Sequence, residues 1–418
     1  MNNSNDLKFT AFIGIDWADK KHDVCVKKVE LGTISSSVIS STPEALAEWV
    51  AKLRQEVPDG KIAICLEQSK GPLIFQLMRF DFITLFPINP RALARFREAM
   101  NVSGAKSDQG DAFYLEEFVS EYHLRLNPWV ADDETTRSIS SLTFNRRKAV
   151  NESTRIANRL KSCLKMYYPQ ALEFTGDSLK NNMALEFLEK WPQLTDLKRA
   201  RIGTIEKFYR RHGVRSERLI KNRLDLYQNS IALTNDKAVI ESCMISVKMM
   251  VAQIRVLNAS IKEFDEAIDL LYLSHPDKEI FDSFPGAGKI LKPRLLAAWG
   301  SDRDRHENPE SMQQYSGIAP VTRASGNMKL IHRRLSCPKF ILQTFHEFAN
   351  YSRLYSVWAR AYYEMLRERG KNHHTAVRAL AFKWIRIMFR CWKDRTKYDE
   401  VKYIQSLQKS NSPLLAYI

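Results

Sequence analysis

Short apolar runs alternate with segments at helical spacing from residue 8 to about 125. "FTAFIGID" (9–16) and "HDVCVKKV" (22–29) read as neighbouring strands, and "GTISSSVIS" (32–40) as a third. "TPEALAEWVAKLRQE" then opens with a capping Thr42 and Pro43 in the first turn, ahead of apolar residues at helical spacing. "KIAICLE" (61–67) is a buried strand, "PLIFQLMRF" (72–80) a short helix and "FITLFPINP" (82–90) another strand. "PRALARFREAM" and "DQGDAFYLEEFVSEY" follow as helices. Three consecutive strands followed by strand–helix repeats predict a mixed sheet covered by helices.

The strand signals stop near residue 130. "SLTFNRRKAVNESTRIANRLKSCLKMYY" predicts a long helix halted by Pro169. Residues 198–223 are crowded with Lys and Arg, which suits a solvated helix face or a nucleic-acid surface. A heptad follows. Ile240, Val247, Ile254, Ile261 and Ile268 share one position, while Cys243, Met250, Leu257, Phe264 and Leu271 fall three residues later. Such a seam predicts a coiled coil between copies, or a helix folded back on the 142–168 helix of the same chain. After Pro276, "FPGAGK" is a turn whose exposed backbone N–H groups, at Gly286 and Gly288, could hold a phosphate with the aid of Lys289. The remainder, to Trp392, reads as mostly helical. The expected divisions are 1–127 (α/β), 128–275 (helical, coiled coil) and 276–418 (mainly α-helical).

Composition narrows the partners. The 418 residues carry a formal charge of +16, which favours polyanions. The cysteines at 25, 65, 163, 243, 337 and 391 are widely spaced, which argues against zinc ribbons and a disulfide framework. No secretory signal pattern opens the sequence, and the longest apolar runs are too short for a bilayer. A cytoplasmic protein without a membrane partner is expected.

The candidate chemistry is acidic. Asp16 ends the first apolar strand and Glu67 ends "KIAICLE", where a carboxylate is costly unless a cation or substrate compensates for its burial. Asp108 and Asp111, in "KSDQGDA", share one helical face near the positive end of the helix dipole. Taken singly, these are ordinary turn and helix-start residues, and Asp19 is read as a turn residue. Together after the right strands, Asp16, Glu67, Asp108 and Asp111 lay out a site for divalent metal, with Mg²⁺ suited to the oxygen ligands and two ions about 3.5–4 Å apart suited to phosphoryl transfer.

In order, "FIGID", "ICLE", "INP" and "KSDQGDA", then "PGAG" and "YSGIAPVTRASG", make the chain resemble the DEDD transposases of insertion sequences, relatives of the Piv DNA invertases. The resemblance covers most of the chain and implies an amino-terminal RuvC-like (ribonuclease-H-like) α/β domain. It also implies that Asp16, Glu67, Asp108 and Asp111 are metal ligands and that Ser325, in "RASG", is a nucleophile that holds DNA covalently. DNA at element ends and target, a noncoding guide RNA of the bridge type and a dimer or tetramer of the chain are the implied partners. Arg323, Arg333 and Arg334 stand as phosphate contacts, although "HRRLSCPKFILQTF" departs from the family's usual Leu-Arg-Arg-x-Leu helix. "EQSKG" also departs after the strand glutamate. The rival readings are a junction-resolving metal nuclease that uses water, with Ser325 incidental, and a catalytically silent nucleic-acid-binding protein.

Overall fold

The computed structural model describes residues 8–67, 71–100, 107–326 and 328–418, with the Lys329 side chain excepted. Lys106 and the Gln68–Lys70 stretch of "EQSKG" lie outside the described residues. Contacts divide the chain into two units. The first runs to Asp133 and includes Ser301–Glu307; the second comprises Glu134–Gly300 and Asn308–Ile418.

The first unit is a five-stranded sheet in the order β3-β2-β1-β4-β5. Strands β1 (Phe9–Trp17), β2 (Lys21–Lys28) and β3 (Ile34–Ser40) are antiparallel neighbours. Strands β4 (Lys61–Leu66) and β5 (Ile83–Pro87) run parallel to β1. The mixed sheet expected from the apolar pattern is therefore present, with the serine-rich β3 at an edge. Helix α1 (Pro43–Glu56) starts as its sequence predicts, with Thr42 Oγ1 accepting from the Ala45 N–H at 3.3 Å. It turns Leu46, Val50 and Leu53 inward. Helices α2 (Pro72–Leu77), α3 (Pro90–Met100) and α4 (Asp108–Tyr122) complete this unit.

Strand alternation sends successive side chains to opposite faces. Ala11, Ile13, Ile15, Ile62, Ile64 and Leu66 join a core with α1 and α2. Phe9, Phe12, Ala63 and Cys65 meet Leu93 of α3 and Leu115 and Val119 of α4 on the other face. Gly14 belongs to that second face and lets α4 come close: a Cβ there would lie 2.0 Å from Ala112 O and 2.4 Å from Glu116 N.

In the second unit, α5 (Glu134–Tyr167) ends just before Pro169 and packs along α11 (Lys237–Leu273). Five shorter helices lie between them in sequence: α6 (Ala171–Thr175), α7 (Asn182–Lys190), α8 (Leu194–Lys198), α9 (Ile202–Arg211) and α10 (Glu217–Asn229). They close one core around Leu160, Leu164, Phe187 and Ile254. Beyond α11 come α12 (Lys278–Asp282), α13 (Leu291–Trp299), α14 (Pro309–Tyr315), α15 (Lys339–Ser352), α16 (Val357–Glu368), α17 (His373–Lys393) and α18 (Glu400–Lys409). They build a second core, in which Trp299, Trp358, Trp384 and Trp392 are fully buried and to which Ile139 of α5 and Tyr272 of α11 contribute. The two long helices thus span both cores. Residues 134–275, set apart in the sequence reading as part of a middle region, share a unit with 276–300 and 308–418.

Half of the heptad seam is buried within the chain. Cys243, Val247, Met250, Ile254 and Ile268 are buried, and α11 lies against α5 and α7. The fold-back arrangement accounts for these five positions, whereas Ile240, Leu257, Ile261, Phe264 and Leu271 of the same heptad are half-buried. A second difference concerns residues 321–332, read as part of a mostly helical stretch. They form an antiparallel hairpin of β6 (Val321–Ser325) and β7 (Met328–His332). The Gly326-Asn327 dipeptide is a two-residue hairpin signal, and Gly326 takes φ +54°. No described helix is long and apolar enough to cross a membrane.

Candidate active site

The carboxylates gather because of sheet register. Ile15 pairs with Leu66 across the parallel β1–β4 ladder, so Asp16 and Glu67 follow at adjacent strand ends. Counting in twos from Gly14 and from Cys65 places both on the face covered by α4. Helix α4 begins where Ser107 Oγ accepts from the Gly110 N–H at 3.1 Å, which sets Asp108 and Asp111 in its first turn. The Gly14 contact with Ala112 and Glu116 fixes that turn against the strand carrying Asp16.

The electrostatics record the convergence. The Asp16 carboxyl is pushed up to about 6, first by burial and then by repulsion from Asp111, Glu67, Asp108 and Asp23. Asp23 was missed in the sequence. It lies directly opposite Asp16 in the β1–β2 ladder, is buried, and has Lys21 Nζ 3.7 Å away. The signal was the alternation of "HDVCV", which turns Val24 and Val26 to one core and Asp23 to the acidic face. Arg97 of α3 was missed too, and only tertiary packing reveals it: its Nη1 lies 2.5 Å from Asp111 Oδ1. One turn past Asp111, Glu116 is buried and its carboxyl is raised to about 7 by burial, with Lys27 opposing the shift.

Among the described residues, no three His, Cys, Asp or Glu side chains are arranged to hold a metal ion. Asp111 instead engages a guanidinium. The donor set nevertheless suits a divalent cation: the groups are hard carboxylate oxygens, their mutual repulsion is visible at Asp16, and a cationic side chain already sits among them. Asp19 is exposed in the β1–β2 turn, where its carbonyl accepts from Ser41 Oγ at 2.6 Å.

The other predicted residues lie in the second unit. Ser325 ends β6 and is exposed, with Gly326 after it in open space. Arg323 and Arg333 are exposed, and Arg334 Nε donates to Ala319 O at 3.4 Å. Arg378 of α17 has its pKa lowered, first by burial and then by Arg333, so two guanidiniums are neighbours. In the Gly286–Lys289 turn, Gly286 has φ +76° and packs on the Tyr351–Ser352 backbone, where a Cβ would lie 3.0 Å from its atoms. Gly288 faces open space, and Lys289 pairs with Asp269.

Comparison with known proteins fits this arrangement. A DEDD transposase model matches residues 13–169, and the model of the transposase IS116/IS110/IS902 family matches residues 278–364. The "Mini-circle putative transposase for IS117" of Streptomyces coelicolor is 29% identical over 97% of this chain and 98% of its own length. The "Insertion element IS900 uncharacterized 42 kDa protein" of Mycobacterium paratuberculosis is 24% identical over 92% of this chain and 96% of its own. The "Insertion element IS110 uncharacterized 43.6 kDa protein" of Streptomyces coelicolor is 24% identical over 71% and 72%. With an acidic strand-end cluster inside the first match and the serine hairpin inside the second, the chain belongs to the IS116/IS110/IS902 family of insertion-sequence transposases, whose activity is the cutting and rejoining of DNA.

Proposed function

We propose that the chain breaks and rejoins DNA through a ribonuclease-H-like carboxylate site and a serine nucleophile. The supporting observation is the Asp16 carboxyl, raised first by burial and then by repulsion from Asp111, Glu67 and Asp108. Asp16, Glu67, Asp108 and Asp111 would hold Mg²⁺, which when bound would neutralise charge on the phosphodiester and acidify a bound hydroxyl. Asp23 and Arg97 position this set: Asp23 adds negative charge opposite Asp16, and Arg97 holds Asp111 on the α3 side.

Ser325 on the exposed hairpin supplies the second function. Its Oγ forms a bond to phosphorus while the scissile P–O bond breaks, and the serine proton leaves with the departing DNA hydroxyl. The ester keeps the bond energy, so attack by a new DNA hydroxyl rejoins the strands and returns the proton to Ser325 without an external energy source. Arg323 on the hairpin and Arg333 and Arg334 just after it would contact phosphates. The +16 charge suits both DNA and a noncoding guide RNA whose pairing would select the sites. We also assign the working form as a dimer or tetramer of the chain.

Denaturing electrophoresis of labelled element-end DNA tests this reading. Wild-type protein with Mg²⁺ and its element's RNA should yield label that migrates with protein and is released by protease. Ser325→Ala should bind nucleic acid yet form no adduct or recombinant. An active Ser325→Ala variant, cutting without any adduct, returns the chain to a water-using nuclease.

A further inference from the structure

A groove of about 920 Å³ opens in the second unit beside the Gly286–Lys289 turn, bordered by α15 and by the start of α17. Its volume lies in the range of about 300–1,000 Å³ typical of small-molecule sites, ample for a nucleotide. Arg294 borders it from α13. Only 4% of this residue is exposed; its Nε donates to Thr344 Oγ1 at 3.1 Å and its Nη1 to Glu347 Oε2 at 2.5 Å. Its Nη2 is buried and has no partner among the described residues. A buried guanidinium nitrogen without an acceptor is costly, and the Arg294 charge in the groove wall favours an anion there.

The turn supplies further donors. Among the described residues, the N–H groups of Gly288, Lys289 and Ile290 give no hydrogen bond to a backbone carbonyl, and α13 starts directly after them. Gly288 leaves open space for close approach. The charges are mixed but excess positive: Asp282 is shared by Lys278 and Lys292, and Glu347 by Arg147 and Arg294. Tyr351 and Tyr355 line the groove with 49% and 69% of their surfaces exposed. Exposed tyrosines beside a phosphate slot are what unpaired bases stack on. A duplex backbone would need the donors but not the depth or the rings.

We propose that this groove binds one unpaired nucleotide of a nucleic acid strand, its phosphate on the Gly288–Ile290 N–H groups and Arg294 and its base against Tyr351 and Tyr355. The inference rests on the reading of the chain as a nucleic-acid enzyme and adds a strand-binding site to it.

The test uses full-length protein, without Mg²⁺, and single-stranded RNA and DNA oligonucleotides carrying a fluorophore or one 5-iodouracil. Fluorescence anisotropy should show binding weakened at least about tenfold in the Tyr351→Ala/Tyr355→Ala double variant, with most of the affinity kept by Tyr355→Phe, as loss of stacking requires. Ultraviolet crosslinks should map to peptides containing Tyr351 or Tyr355. Tighter RNA binding identifies a guide strand as the source, tighter DNA binding a DNA strand, and equal binding a backbone-led contact; each supports the site. Wild-type affinity in the double variant, or crosslinks confined to other peptides, overturns it. Because nothing is cut in this assay, an adduct-free wild type with normal groove binding would remove only the serine mechanism.

Discussion

Replacing Gly14 by Ala tests how the acidic site is held. The added Cβ would stand 2.0 Å from Ala112 O, 2.4 Å from Glu116 N and 2.8 Å from Leu115 Cβ, and two of those three atoms are backbone. To reach the 3.4 Å at which ordinary contact begins, α4 or β1 must retreat by more than 1 Å. Overpacking of this kind costs about 1–3 kcal/mol, against a total stability of about 5–15 kcal/mol. The variant should therefore remain folded. Its chemistry should fail, because catalytic constellations tolerate only about 0.5 Å of displacement, and the retreat moves Asp108 and Asp111 away from Asp16. Urea denaturation followed by tryptophan fluorescence would give the stability loss, and cleavage of labelled DNA the activity, which should drop at least about a hundredfold. Gly203→Ala on α9, where a Cβ meets nothing within 4 Å, serves as the control and should cut normally. A Gly14→Ala protein that cuts DNA at the wild-type rate would refute the idea that this close approach sets the carboxylates.

Three further outcomes are expected. Asp16→Asn should abolish cleavage yet raise stability at pH 8 in metal-free buffer, because the charged Asp16 is opposed by burial and by its acidic neighbours; a drop in urea midpoint would contradict this. Glu116, fully buried and raised to about 7, favours the protonated form in the folded state, so its contribution to stability is present below about pH 4.5 and is lost as pH rises to about 7. Glu116→Gln should flatten that part of the pH–stability curve and be the more stable protein at pH 8; an unchanged slope would refute the assignment. Ile254→Ala should cost about 2–5 kcal/mol with no change of mass by light scattering. Dissociation without loss of stability would mean that the seam faces a second copy after all.

Much of the first unit was legible because its strands and helices are bounded by strong local signals. Thr42-Pro43 opens α1, Pro90 opens α3, and Ser107 caps α4, each where the pattern predicts. The paired strand-end carboxylates were legible for the same reason, since apolar runs ending on Asp16 and Glu67 break the pattern visibly. What escaped was whatever depends on a distant partner. Arg97 carries no local sign that it will meet Asp111, and Asp23 becomes acidic-site chemistry only through its register with Asp16. The heptad was visible, but periodicity specifies that an apolar seam needs a partner helix and not whose helix it is; α5 takes the place. The serine hairpin was overlooked because β6 is almost wholly exposed and so lacks the alternation of apolar and polar positions that marks a half-buried strand.

The Ser301–Glu307 segment has a consequence for the order of synthesis. It belongs to the first unit although it is encoded far downstream of the rest. There, Ser301 donates its N–H to Asp132 Oδ1 at 2.7 Å, Arg305 Nη1 donates to Asp132 Oδ2 at 3.0 Å, and His306 is buried and kept neutral, its pKa lowered to about 4. A ribosome that has finished residue 133 must add all of 134–300 before these partners emerge, which at about 5–20 residues per second takes roughly 8–35 s. Throughout that interval Asp132 lacks its guanidinium and the sheet-bearing unit is incomplete. Asp132 therefore gains these partners only after α5 through α13 have been made, and an amino-terminal fragment ending near residue 133 would lack them.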